Sequence, residues 1–363
     1  MNEKYIGKKQ YSNKEALNEI KDRKNYIFAN KRYKNIKYIF ANSFKYMKGK
    51  ILYYHMIMII IIIIIYSMNS SYIELTISGP GISKIFYEKG NKDCPSSIIF
   101  PDEIYINSII QYNKSSEYYF NNSVNIVKLV YYSNLTSMKC MFHSCSNITK
   151  IDFSHFDTSL VTSMLALMDN CTSLMDINFS NIDTSNVNDM VNMFKLCSSL
   201  KSVNLSNFVT TRVQNMGYMF YLCNQLISVD LSNFNTPVLA SMNYMFGDCK
   251  KLVSINLSSF NTSNVQYLRH MFENCESLVS IDLFKTITSK VTNIEFMFAN
   301  CILLSSIDLS NLASTDNLVW MDSVFKNCTS LVYVNLSNLV TNKVRDMDFM
   351  FYNCISLTSF FFI

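Results

Sequence analysis

The chain has 363 residues with 32 Lys and Arg, 27 Asp and Glu, eleven cysteines and seven glycines. Residues 1–50 carry 14 basic side chains against four acidic ones, a net of +10, which leaves the rest at 18 against 23, or −5. The basic part abuts the most apolar run of the chain, so its charge suits a membrane surface rather than nucleic acid. No metal-ligand spacing and no phosphate-binding glycine motif occurs, and only Gly217 and Gly247 follow residue 100.

The apolar run is Ile51 to Tyr66, sixteen residues without formal charge when His55 is neutral, with seven successive isoleucines from Ile59 to Ile65. As a helix it spans about 24 Å, short of a bilayer core of roughly 30 Å. Ser67 and Met68 lengthen it, and Tyr53, Tyr54 and Tyr66 suit the interfaces, so residues 51–68 read as a transmembrane signal anchor or a signal peptide. The positive-inside rule then puts 1–50 in the cytoplasm and the remainder outside, on the cell surface, or secreted if the signal is cleaved. Two readings of the basic segment stand side by side. A start at Met47 gives an ordinary secretory signal, whereas Tyr26, Ala29, Tyr33, Ile36, Phe40, Phe44 and Met47 share one face of a basic juxtamembrane helix.

Residues 69–130 are expected to form a β-rich cap. Tyr72 to Ser78 alternates like a strand, Gly79-Pro80-Gly81 is a turn, and Ile82 to Tyr87 resumes, which predicts a hairpin. Ile104 to Asn107, after Pro101, predicts another short strand.

From residue 131 to 363 one unit repeats. Its cysteines fall at 145, 171, 197, 223, 249, 275, 301, 328 and 354, a period of 26 with one step of 27. A fixed period in this range marks a solenoid. Counting from each cysteine, Leu stands at +3, Ile or Val at +6, Asp or Asn at +7, Leu or Phe at +8, Ser at +9, Thr at +13, Val at +16, and Met-Phe at +22 and +23. Positions +6 and +8 point inward and +7 outward, because strand side chains alternate. The later apolar residues, at gaps of three, three and four, predict a short helical or 3₁₀ return. Stacked about 4.8 Å apart, the units would form one parallel sheet roughly 40 Å long.

The run Met-Phe-x-x-Cys-x-Ser-Leu-x-x-Ile-Asp-Leu-Ser followed by Asn-Thr-Ser-Asn-Val resembles the BspA-type leucine-rich repeat of bacterial and protist surface proteins, over about residues 130 to 363. The chain departs from it at Met168, at Thr286 and at the extra residue before Trp320. The fold expected is an α/β solenoid: a leucine-rich-repeat array with a parallel β-sheet on one face and helical returns on the other, after a β-rich cap and one N-terminal hydrophobic helix. For function the resemblance implies surface exposure with adhesion or partner binding, and it carries over no catalytic residues and no cofactor.

The candidate binding face is the outward strip of the sheet. Its +7 row is Asp152, Asn178, Asn204, Asp230, Asn256, Asp282, Asp308 and Asn335, and its +9 row includes Ser154, Ser180, Ser206, Ser232 and Ser258. With Lys150, Asp176, Lys201 and Tyr333 beside it, the strip is expected either to take a protein or glycan ligand on another cell or matrix, or only to keep the face soluble. Asp152, Ser154 and His155 imitate a nucleophilic triad, but Asp or Asn and Ser recur there in nearly every copy. The nine ladder cysteines are expected as buried thiols, and Cys94 with Cys140, off the ladder, as a pair in an oxidising compartment. The bare strand Leu357 to Ile363 predicts self-association, a structural or self-assembling role, or a truncated frame.

Overall fold

A computed structural model describes residues 70–88, 94, 99–283, 289–310, 312 and 316–361, with Ile57, Met58 and Ile60 before them. The chain divides into two units, 1–68 and 69–363, and the fold below is that of the second. The expected hydrophobic helix at 51–68 lies outside the described residues except for those three. Among the described residues no helix is long and apolar enough to cross a membrane.

Among the described residues six strands precede the array: β1 (Ser71–Ser78), β2 (Gly81–Lys84), β3 (Glu103–Ile106), β4 (Ile109–Ile110), β5 (Glu117–Phe120) and β6 (Val124–Tyr131). Strand β1 pairs antiparallel with β6 along its whole length, from Ser71↔Tyr131 to Ser78↔Val124. Its other edge pairs antiparallel with β7 (Ile148–His155), the first strand of the array. With both edges of β1 occupied, the hairpin expected with β2 cannot form. The turn at Gly81, whose φ of 124° suits only glycine, instead sends β2 to pair with β5.

The array continues through β8 (Asp176–Asn178), β9 (Ser254–Asn256), β10 (Ser280–Asp282), β11 (Ser306–Asp308), β12 (Tyr333–Asn335) and β13 (Ser359–Phe361). These pair in parallel as β7 with β8, β9 with β10, and β11 with β12 with β13. The equivalent residues 202–204 and 228–230 are not strands. The expected single parallel sheet is therefore broken into short runs, and the continuity of the array lies elsewhere.

It lies in the returns, which are not helices. Residues at +21 and +25 have positive φ, as at Tyr218 and Leu222, Tyr244 and Asp248, or Phe296 and Asn300, and in the 27-residue copy after Cys301 the same two places fall one later, at Ser323 and Asn327. Two left-handed residues within five positions forbid an α-helix, whose residues all need negative φ. Their N–H groups take alternate partners. Met193 and Lys195 donate within their own turns to Met190 and Asn192, while Met190, Asn192, Phe194 and Leu196 donate to Asn215, Gly217, Met219 and Tyr221 of the next copy. The same comb recurs from Met138 to Asn327, and parallel bridges at +18, or +19 at Trp320 in the longer copy, follow it from Ser163 to Asp346. Apolar gaps of three and four imitate a helix here because successive tight turns bring the same residues inward.

The main core is a cluster running from Ile73 in the cap to Met350, and a second, small one gathers Tyr87, Cys94, Cys140 and Ala166. Its spine is the stacked ladder Phe194, Phe220, Phe246, Phe272, Phe298 and Phe325, with neighbouring centroids 5.1–5.7 Å apart and rings within 6° of parallel.

Candidate functional site

Each strand segment of the array is held by side-chain bonds that the repeat supplies. The +7 side chain accepts the backbone N–H two residues on: Asp152 from Ser154 at 2.8 Å, Asp230 from Ser232 at 2.9 Å, Asn256 from Ser258 at 2.9 Å and Asp308 from Ser310 at 2.8 Å. Asn178, Asn204 and Asn335 do the same for Ser180, Ser206 and Ser337. The +7 row therefore shapes the bend after each strand, an Asx-type turn, besides facing solvent. The +10 asparagines tie copies together: the amides of Asn207 and Asn233 donate to the carbonyls of Ser180 and Ser206 at 3.0 and 2.9 Å.

The strip is thus a set of fixed polar groups. Asn204, Asp230, Asn256, Asp282 and Asp308 are exposed, whereas Asp152, Asn178 and Asn335 are half-buried. Hydrogen bonds from Ser232 hold the Asp230 carboxyl below its ordinary range. Burial pushes Asp152 and Asp308 upward, but bonds from Ser154 and Asn178, and from Ser310 and Asn335, outweigh it and hold both low. Lys150 and Asp176 bind each other at 2.6 Å.

The sequence pattern missed a second row. Position +4 is Met175, Ile227, Val253, Val279 and Val332 in five copies, and these side chains are 44–59% exposed. Alternation counted back from +6 would turn +4 inward. In the structure +3 is buried, and both +4 and +5 face out. The chain bends there, so an apolar row runs alongside the serines of +5 and the Asp and Asn of +7. The available signal was the Leu at +3, which must be inward and so displaces +4.

Ser154 Oγ lies 2.9 Å from His155 Nδ1, but Asp152 bonds the serine and its backbone N–H rather than the imidazole, which stacks on Tyr72. That order lacks the carboxylate that orients the base in a catalytic triad. Among the described residues no group of three or more His, Cys, Asp or Glu could hold a metal ion.

Cys94 and Cys140 form a disulfide between Cα atoms 6.0 Å apart, packed with Tyr87 and Ala166. The nine ladder cysteines are free. They do more than fill space: from Cys171 onward each thiol donates to a carbonyl of the preceding copy, as Cys223 to Phe194 at 3.1 Å and Cys328 to Phe298 at 3.0 Å.

The geometry defines a stacked repeat protein of the solenoid class. Residues 136–254, 201–312 and 279–359 match the family described as "Mycoplasma protein of unknown function, DUF285", and since these stretches cover more than half of the chain, it belongs to that family. No curated protein matches it. Among solved structures it is similar to a leucine-rich cell surface protein from Faecalibacterium prausnitzii A2-165, at 19% identity and a TM-score of 0.31, over 60% of this chain and 61% of that one. It is also similar to a chain of a TLR13–ssRNA13 complex, at 16% identity and a TM-score of 0.30, over 58% of this chain and 32% of that one. The chain thus spans about three fifths and one third of the lengths of these two. The solenoid assignment rests on the chain's own hydrogen-bond comb.

Proposed function

We propose that this chain is a BspA-type surface protein that works by adhesion or recognition of a protein or glycan on another cell or matrix, without catalysis. The observation that carries the reading is the two-part strip: an exposed apolar row at Ile227, Val253 and Val279 beside exposed Asp230, Asn256 and Asp282, the first two held by the N–H groups of Ser232 and Ser258. Apolar contact area next to fixed polar groups, on consecutive copies, is the composition of a recognition surface. Export is supported by the basic and apolar N-terminal segments and by the Cys94–Cys140 disulfide, a bond that persists in oxidising compartments.

Two measurements test it. Protease applied to intact cells carrying tags at both ends should remove the C-terminal tag and spare the N-terminal one; protection of both until lysis would make the protein an internal scaffold. Immobilised protein should capture cells or matrix, and Val253→Glu and Asp230→Lys should each reduce capture several-fold without lowering the melting temperature by more than a few degrees. Capture unchanged in both variants would remove the strip from the reading.

A further inference from the structure

The cap contains a site that the repeat does not explain. A pocket of about 260 Å³ opens between the β3–β4 hairpin and the end of β5 with the turn that leads from it to β6. Five amide side chains line it, Asn107, Gln111, Asn121, Asn122 and Asn125, together with Tyr119. No residue lining it is charged. Pockets of this kind, concave with a few convergent polar groups, are the usual form of a small-ligand site.

Several amides are fixed from behind. Asn107 has a φ of 48° at the β3–β4 turn, its Oδ1 accepts the N–H of Ile126 at 2.9 Å, and its Nδ2 donates to Asn125 Oδ1 at 3.1 Å. Asn125 is buried and donates to the Asn122 carbonyl at 2.8 Å. Gln111 donates to the carbonyl of Ile109 at 2.9 Å. Asn107 and Gln111 each keep a second N–H, and Gln111 its carbonyl oxygen as well, whereas the buried Asn125 supports Asn107 from behind. Asn121 and Asn122 are exposed, and no bond from either side chain occurs among the described residues. Tyr119 is 67% exposed at the rim, opposite the equally open Ile82 in the β2–β5 pair.

We propose that this pocket binds one neutral hexopyranose unit of a glycan. A sugar hydroxyl is donor and acceptor at once, and a side-chain amide is an uncharged group that offers both roles in a fixed plane. The C–H face of a pyranose ring needs an exposed aromatic face, which Tyr119 offers at the rim. The absence of charge from the lining selects against uronic and sialic acids, whose carboxylates would have to be desolvated without a cation. The site lies in the cap, apart from the strip on the array, and either can fail without the other.

The test is saturation-transfer NMR on the full chain, held in a zwitterionic detergent without a sugar headgroup, against millimolar glucose, galactose, mannose, N-acetylglucosamine and glucuronate. At least one neutral sugar should receive saturation, most strongly at its C–H face protons, and glucuronate should receive less. Tyr119→Ala and Asn122→Ala, both at exposed positions that the fold tolerates, should each cut the transfer more than fivefold while leaving the thermal melt unchanged. Silence from every neutral sugar overturns the proposal. So does a signal that survives both variants, or one strongest for glucuronate.

Discussion

At the residue scale, the recurrence of threonine at +13 has a specific cause. Thr210 is buried, donates its hydroxyl to the Asn235 carbonyl at 2.9 Å and accepts the N–H of Asn235 at 3.0 Å; Thr184 does the same for Val209. One side chain thus satisfies both backbone groups of a turn in the next copy, where no strand ladder exists to do so. Thr210→Val keeps the shape and strips both bonds, leaving a buried N–H and C=O unpaired, at a cost of about 1–3 kcal/mol. Urea denaturation should show that loss, with Thr210→Ser losing less; equal stability of the valine variant and the wild type would refute the account. The ladder cysteines are expected to be inert for a related reason. Burial pushes their thiols upward, Cys328 to about 12, and the nucleophile is the thiolate. Alkylation of native protein near neutral pH, followed by mass mapping, should label half-buried Cys354 first and spare Cys171 through Cys301. Cys94 and Cys140 should resist alkylation until reduced.

At the element scale, the return decides how the copies hold together. Asn300 sits at a φ of 62°, donates to Asn274 Oδ1 at 2.8 Å and accepts from Asn327 at 2.7 Å, one step of a ladder running from Asp248 to Asn353. Asn300→Ala should cost about 2 kcal/mol, by loss of the ladder bonds and because alanine lacks the short polar side chain that lets asparagine settle in the left-handed region. Asn300→Gly should cost less than Asn300→Ala, because glycine adopts that φ freely. In a helical return the order would reverse, with alanine better by about 1 kcal/mol. The ranking of two melting curves therefore separates the left-handed turn from the helix that the apolar spacing suggested. That spacing did make the period, the inward +3, +6 and +8 residues and the Phe ladder legible, since burial alone sets them. Hydrogen-bond partners were not legible. Gaps of three and four are shared by a helix and by successive tight turns, and only the stacking of Asn at +25 hinted at left-handed backbone. The +7 row was readable as outward. Its use as a turn acceptor and the exposed +4 row depend on a bend that alternation does not encode.

At the scale of the whole molecule, stability in a stacked array depends on its ends, because each copy is supported by its neighbours. The first copy is covered by β1 and by the bond from the Tyr87 N–H to the Met141 carbonyl, and the Cys94–Cys140 disulfide fastens that junction. Closing a loop of 46 residues stabilises by about 4 kcal/mol in the chain-entropy model, so reduction should lower the melting temperature by several degrees. The far end responds to pH instead. Burial, and then the neighbouring Glu295, push the Asp322 carboxyl up to about 6, while Glu295 is held low. A carboxyl raised above its unfolded value stabilises the fold while protonated, and that contribution disappears as pH rises from about 4 through about 6. Asp152, Asp157, Asp230 and Asp308, held low, act in the opposite sense and lose their contribution as pH falls. Asp322→Asn keeps a donor toward Glu295 and has no proton to lose, so it should gain stability over the wild type as pH rises through 6. Because Asp322 is only partly buried, solvent screening limits the gain to about 2 °C. Melts of the two proteins at pH 4.5 and 7.5 decide the matter: the difference should widen toward pH 7.5, and a constant difference would mean that the pair holds no proton in the folded chain.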